Sequence, residues 1–130
     1  MPSIFTRIIQ KEIPGYIVAE NDDAIAFLDI NPLNEGHTLV VPKKEVDKLF
    51  DLDEDTYLKL QAFTHQVAKA IEKAVPCLRV GVAVIGLEVP HAHIHLIPLH
   101  SMGDIDFSRP KLQLTPQDFE EVKNRISEHY

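Results

Sequence analysis

The chain has 130 residues, of which 45 % are hydrophobic and 25 % charged, the proportions of a soluble globular protein. Its formal charge of −7, from 13 basic and 20 acidic residues, weighs against nonspecific binding to nucleic acid or anionic membranes but leaves room for a locally positive pocket. A single cysteine, Cys77, excludes an internal disulfide and an all-cysteine metal site.

The N-terminal stretch MPSIFTRIIQKEIP carries Arg7 and Lys11 among its apolar residues. It lacks the basic-then-apolar run of a signal peptide, and no stretch of the chain is apolar for the ~18 residues a membrane span needs. A cytoplasmic protein of one domain, residues 1–130, is expected. SIFTRIIQ predicts a short helix, with Ser3 as N-cap and Ile4, Ile8 and Ile9 on its apolar side. YIVAE and AIAFLDI are apolar runs split by the polar NDD, which predicts a hairpin. NPLNEG is a loop punctuated by Pro32 and Gly36, and HTLVVP is a strand ended by Pro42. Lys43 and Lys44 then sit in a solvated loop.

The stretch DLDEDTYLKLQAFTHQVAKAIEKAVP is the longest helical signal. Asp53 or Asp55 can cap it, and the acids from Asp51 to Asp55 suit the positive end of the helix dipole. Leu60, Phe63, Val67, Ala70, Ile71 and Ala74 form its apolar stripe. His65 falls on the solvated side, and Cys77 just beyond reads as buried packing. LRVGVAVIG, rich in valine, predicts a buried strand, and HAHIHLIPL predicts the next one, with His100 in the loop beyond. TPQDFEEVKNRISEHY opens with Thr115 as N-cap, Pro116 at the first helical position and Asp118 placed for a capping box. Phe119, Val122 and Ile126 make its stripe. Strands come in pairs on both sides of one long helix, which predicts an α+β protein built on an antiparallel sheet.

The informative stretch is HAHIHLIPLH, which holds four of the chain's seven histidines. Strand side chains alternate, so His91, His93 and His95 share one face while Ala92, Ile94 and Leu96 anchor the other. Three such residues span about 13 Å, too far for one metal ion. A metal-dependent hydrolase would need two of them plus a ligand from His37, His100, Glu88 or Asp29. Phosphoryl chemistry needs no such convergence. One imidazole nitrogen can attack phosphorus while its neighbours donate hydrogen bonds to the phosphate or a proton to the leaving group.

HAHIHLI fits the pattern H-φ-H-φ-H-φ-φ, with φ apolar, and in this it resembles the histidine-triad (HIT) family of nucleotide hydrolases and transferases. SIFTRIIQKEIP and AFLDINPLNEGHTLVVPKKE also resemble family stretches, those of its Hint-like branch above all, so the likeness spans residues 3 to 98. It implies a HIT-like fold: a five-stranded antiparallel sheet with one long central helix and a C-terminal helix. By the same resemblance His93 is the nucleophile, and His91 holds its ring through a backbone carbonyl. His95 contacts the phosphate and leaving group, and His37 completes the proton network. Asp29 matches the acid that binds the ribose hydroxyls, and Phe27 and Ile30 match the lining of the base pocket. The resemblance implies a purine nucleoside phosphoramidate or related conjugate as substrate and a homodimer, with Leu60, Phe63 and Val67 available to core or interface. No cofactor is implied.

Two departures stand out. Members that hold structural zinc use two N-terminal cysteines, and those positions are Ser3 and Thr6 here. Hydroxyls are poor zinc ligands, so no metal is expected. Before the triad the family has A-G-Q-[ST]-V-x-H; this chain has IGLEVPH, with Leu87 and Glu88 where a glutamine and a hydroxyl would contact phosphate. That change keeps a second reading open, a nucleotide-binding regulatory or scaffolding protein with little turnover.

Overall fold

The computed structural model describes residues 2–130. Helix α1 (Ile4–Ile9) begins where the Ser3 hydroxyl accepts the Thr6 N–H. Its buried residues are Phe5 and Ile8. The expected stripe of Ile4, Ile8 and Ile9 is therefore corrected: spacing by three turns Phe5 and Ile8 toward the sheet and leaves Ile4 outward. Strands β1 (Ile17–Glu20) and β2 (Ala24–Leu28) form the expected hairpin, its turn closed by Asn21 Oδ1 accepting the amides of Asp23 and Ala24.

Strand β3 (Thr38–Pro42) leads to the long helix α2 (Glu54–Ala74). Asp53, rather than Asp55, caps it by accepting the Thr56 N–H. Strands β4 (Arg79–Ala83) and β5 (Ile94–Leu99) follow, and helix α3 (Pro116–His129) ends the fold with the capping box of Thr115 and Asp118 in place. The strands lie in the order β1-β2-β3-β5-β4, all neighbours antiparallel. This is an α+β fold with a five-stranded sheet.

The alternation of strand side chains divides the sheet into two faces. Ala26, Val40, Ile94 and Leu96 point to α2 and α3, where they meet Leu60, Phe63, Val67, Ile71, Phe119, Val122 and Ile126. Leu60, Phe63 and Val67 are at most 1 % exposed in the single chain, which makes them core. Ile25, Phe27, Leu39 and Val41 point the other way, under Phe5 and Ile8 of α1. Burying each such side chain contributes roughly 1.5–3 kcal/mol, and a one-residue slip would swap the two faces, so the pattern fixes the register.

Three further expectations are corrected. β4 is an edge strand, with Val82 61 % exposed and Leu78 before it 77 % exposed. Its valines look the same in sequence whether a second neighbour covers them or not. The histidine strand starts at Ile94, because the backbone before it bonds elsewhere: His91 N–H to Val89 and Ala92 N–H to Val46. Cys77 is only half-buried. Lys44 is exposed, as a solvated loop implies, and Lys43 half-buried; they form surface pairs with Asp53 and Glu20. His65 and His100 are exposed, as expected. No helix among the described residues is long and apolar enough to cross a membrane.

Candidate active site

A cavity of about 500 Å³ opens on the α1 face of the sheet. The end of β2 contributes Phe27, and the loop after it Asp29 and Ile30. His37 enters just before β3, His93 and His95 from β5 and its approach, and Leu87 and Glu88 from the loop between β4 and β5. His37 is delivered by a turn that needs Gly36, whose φ is +94° and where a Cβ would lie 2.9 Å from Val75. His91 sits behind the cavity wall, fully buried, so only two of the triad rings face the cavity.

Hydrogen bonds settle the tautomer of each ring. His93 Nδ1 lies 2.7 Å from the carbonyl oxygen of His91. A carbonyl only accepts, so Nδ1 carries the proton and Nε2 is left with a free lone pair. His91 Nε2 lies 2.8 Å from the Pro42 carbonyl and is likewise the donor, which makes His91 Nδ1 an acceptor, 2.7 Å from Ser3 Oγ.

The other pair is built in the opposite sense. The Leu33 N–H donates to His37 Nδ1 at 3.0 Å. His37 therefore carries its proton on Nε2 and donates it to His95 Nδ1 at 2.9 Å. His95 in turn carries its proton on Nε2. The rings of His93 and His95 stand 5.0 Å apart, one holding a bare nitrogen and the other an N–H.

Burial keeps the rings of His37, His91 and His95 neutral. Desolvation, reinforced by the charge of His95, lowers the pKa of His37 to about 3, and desolvation with the neighbouring His93 lowers that of His95 to about 4. His91 is lowered for the same first reason. Asp29 moves the other way, its pKa raised by desolvation although it accepts the Asn31 N–H at 2.8 Å. It faces His37 Nε2 at 3.6 Å, too long for a hydrogen bond.

Asp29, His37 and His95 are close enough to suggest a metal site. The tautomer argues against it: the Leu33 N–H occupies the Nδ1 lone pair of His37, so Nε2 bears hydrogen and has no lone pair for an ion. Ser3 and Thr6 do not fit zinc either. Their hydroxyls are engaged with His91 and with Glu45.

Sequence reasoning missed Phe107 and Lys111, which close the cavity from the segment after β5. Phe107 stacks edgewise on His95 at 4.9 Å. Lys111 Nζ donates to the carbonyls of Phe107 and Arg109 and, among the described residues, is the one Lys or Arg lining the cavity. The segment is fastened to the loop before His37 by Arg109, which donates to the Leu33 carbonyl at 2.6 Å and to Asn34 at 3.0 Å. No periodicity announces such a segment, and its charges, Asp104 and Asp106 against Arg109 and Lys111, are no denser than in the rest of the chain.

Residues 10–102 match the model of the HIT domain. An uncharacterised HIT-like protein of Borreliella burgdorferi is 36 % identical, with 95 % of each chain covered. The adenosine 5′-monophosphoramidase of Saccharomyces cerevisiae is 36 % identical over 73 % of this chain and 61 % of its own length. A crystal structure of a HIT-like protein from Bartonella henselae superposes with a TM-score of 0.85 at 32 % identity, covering 98 % of this chain and 96 % of that one.

Proposed function

Because the chain belongs to the histidine-triad (HIT) family, we propose that it is a nucleotidyl hydrolase acting on purine nucleoside phosphoramidates or related nucleoside-phosphate conjugates. The observation that carries this reading is the free lone pair on His93 Nε2, created by the bond from Nδ1–H to the His91 carbonyl. That nitrogen attacks the α-phosphorus and forms a covalent nucleotidyl-histidine. The bond from phosphorus to the leaving nitrogen breaks, its electron pair going to nitrogen, which takes up a proton. His95 Nε2–H is the donor beside it, polarised by His37 through Nδ1. Water then attacks phosphorus, the histidine bond breaks, the 5′-monophosphate leaves, and the proton from water replaces the one spent. Asp29 accepts from the ribose hydroxyls, and Phe27 and Ile30 pack against the base.

The reading extends to a cytoplasmic homodimer of one-domain chains. The apolar edge formed by Leu78, Val82, Val84 and Ile85, each at least 44 % exposed, supports the pairing of two copies. A second reading, nucleotide binding with little turnover, is favoured by one observation: exposed Leu87 and Glu88 give the cavity rim no hydroxyl or amide for a phosphate.

A single-turnover reaction with phosphorus-labelled adenosine phosphoramidate separates the two. An acid-labile label on the wild-type chain, lost in His93→Ala together with at least about a thousandfold in kcat, supports the hydrolase. Stoichiometric binding of nucleotide without label supports the binder, and His93→Ala turnover within tenfold of wild type removes His93 as nucleophile.

A further inference from the structure

We propose that Ser3, outside the cavity and 88 residues from His91 in sequence, is a positioning residue for the nucleophile. The inference rests on the hydrolase reading above and adds a component to it. Every proton around the Ser3 hydroxyl is accounted for. The Ser3 N–H donates to Glu45 Oε1 at 2.7 Å, and the Thr6 hydroxyl donates to the same oxygen at 2.6 Å. Thr6 has therefore spent its proton and has none for His91, from which it stands 3.4 Å away. The Ser3 Oγ accepts the Thr6 N–H at 3.0 Å, and its own proton goes to His91 Nδ1 at 2.7 Å rather than to Thr6 Oγ1 at 3.3 Å.

One hydroxyl thus does two things. It caps α1, and it fills the Nδ1 lone pair of a fully buried ring. With Nδ1 filled, His91 keeps its proton on Nε2, bonded to the Pro42 carbonyl in β3. The ring is held at both nitrogens, from α1 and from the sheet. Its backbone carbonyl, which orients His93, is then fixed as well. Phe5, in the turn that Ser3 caps, stands edgewise to His93 at 5.0 Å, so α1 braces the nucleophile from its ring side too.

The test must separate this role from capping. Glycine is well tolerated as an N-cap but has no hydroxyl, whereas threonine keeps both functions. Ser3→Gly should lower kcat about tenfold, the scale of one neutral hydrogen bond, with KM unchanged and the melting temperature down by only a few degrees. Nitrogen-15 NMR should show His91 changed from a pure Nε2–H tautomer to a mixture, and Ser3→Thr should restore both signal and kcat. Wild-type kcat and wild-type imidazole signals in Ser3→Gly would overturn the inference, as would a Ser3→Thr variant no better than glycine. A wild-type protein that turns over nothing defeats the hydrolase reading instead, and the NMR arm then decides alone whether Ser3 sets the His91 tautomer.

Discussion

The two ends of the histidine row are anchored to different parts of the chain, and the anchors have opposite polarity. At the upstream end, carbonyl oxygens of His91 and Pro42 receive N–H groups from His93 and His91. At the downstream end, a backbone amide, that of Leu33, gives its hydrogen to His37. A carbonyl anchor leaves the last ring in its chain with a lone pair; an amide anchor leaves the last ring with a proton. Rings of the same residue type thereby become a base and a donor within 5.0 Å of each other. Identical side chains are differentiated by the backbone groups behind them, not by any difference in the side chains themselves.

The contrast can be broken at either end, and the downstream end gives the larger remaining effect once His93 itself is set aside. His95→Asn should cut kcat by about a hundredfold, within the range general acid catalysis supplies, while nucleotide affinity changes little. Comparison of kcat with the dissociation constant of the product nucleotide checks this. An equal fall in both would make His95 a binding group rather than a donor.

Burial sharpens the same comparison through pH. The lowered pKa values of His37 and His95, about 3 and about 4, mean that the unfolded chain binds protons at 6.5 while the folded chain does not. Stability is therefore full above pH 6.5 and falls as pH drops through the window down to about 4 for His95 and about 3 for His37. Each displaced pKa unit is about 1.4 kcal/mol, so the loss is on the order of several kcal/mol in acid. Denaturant titrations at pH 7 and pH 4.5 measure it, and a His37→Gln variant should lose less between the two than wild type. A wild-type curve flat across that interval would mean that the rings are not held neutral.

Asp29 lies at the downstream end, beside His37, and in the proposed reading it binds the sugar. Asp29→Ala should weaken ribonucleotide binding by roughly 1.5–3 kcal/mol and leave 2′,3′-dideoxynucleotides nearly unaffected, since a hydrogen bond to a carboxylate is what is lost. Equal losses for both would reduce Asp29 to its bond with the Asn31 amide. The smallest effect is expected at Glu88, exposed on the cavity rim. Solvent screens its charge, so Glu88→Ser should alter kcat/KM only a few-fold, raising it for acidic or neutral leaving groups and lowering it for amines. A uniform change would remove any leaving-group preference from this carboxylate.

Much of this was legible in the sequence, because it rests on local rules. The Thr115 and Asp118 capping box, the Asp53 cap and the apolar stripe of α2 are written within a few residues of where they act. The spacing of His91, His93 and His95 put three histidines on one side of the sheet, and two of them, His93 and His95, line the cavity there. What was not legible depends on distant backbone. The sequence does not show that Val89 and Val46 take the amides that would have begun β5 at His91. It does not show that Arg109 reaches across 76 residues to the Leu33 carbonyl and so brings Phe107 over His95. Nor does a valine-rich run reveal whether a neighbour covers it, which is why β4 was expected to be buried and lies at the edge.

The opposed tautomers are directly observable. Nitrogen-15 NMR of histidine-labelled protein near neutral pH reports which nitrogen of each ring bears hydrogen, with His93→Gln and His95→Gln variants assigning the signals. His93 is expected as the Nδ1–H form with a bare Nε2, and His95 as the Nε2–H form with Nδ1 accepting from His37. A proton on His93 Nε2, or the same tautomer on both rings, would contradict the division of the row into base and donor.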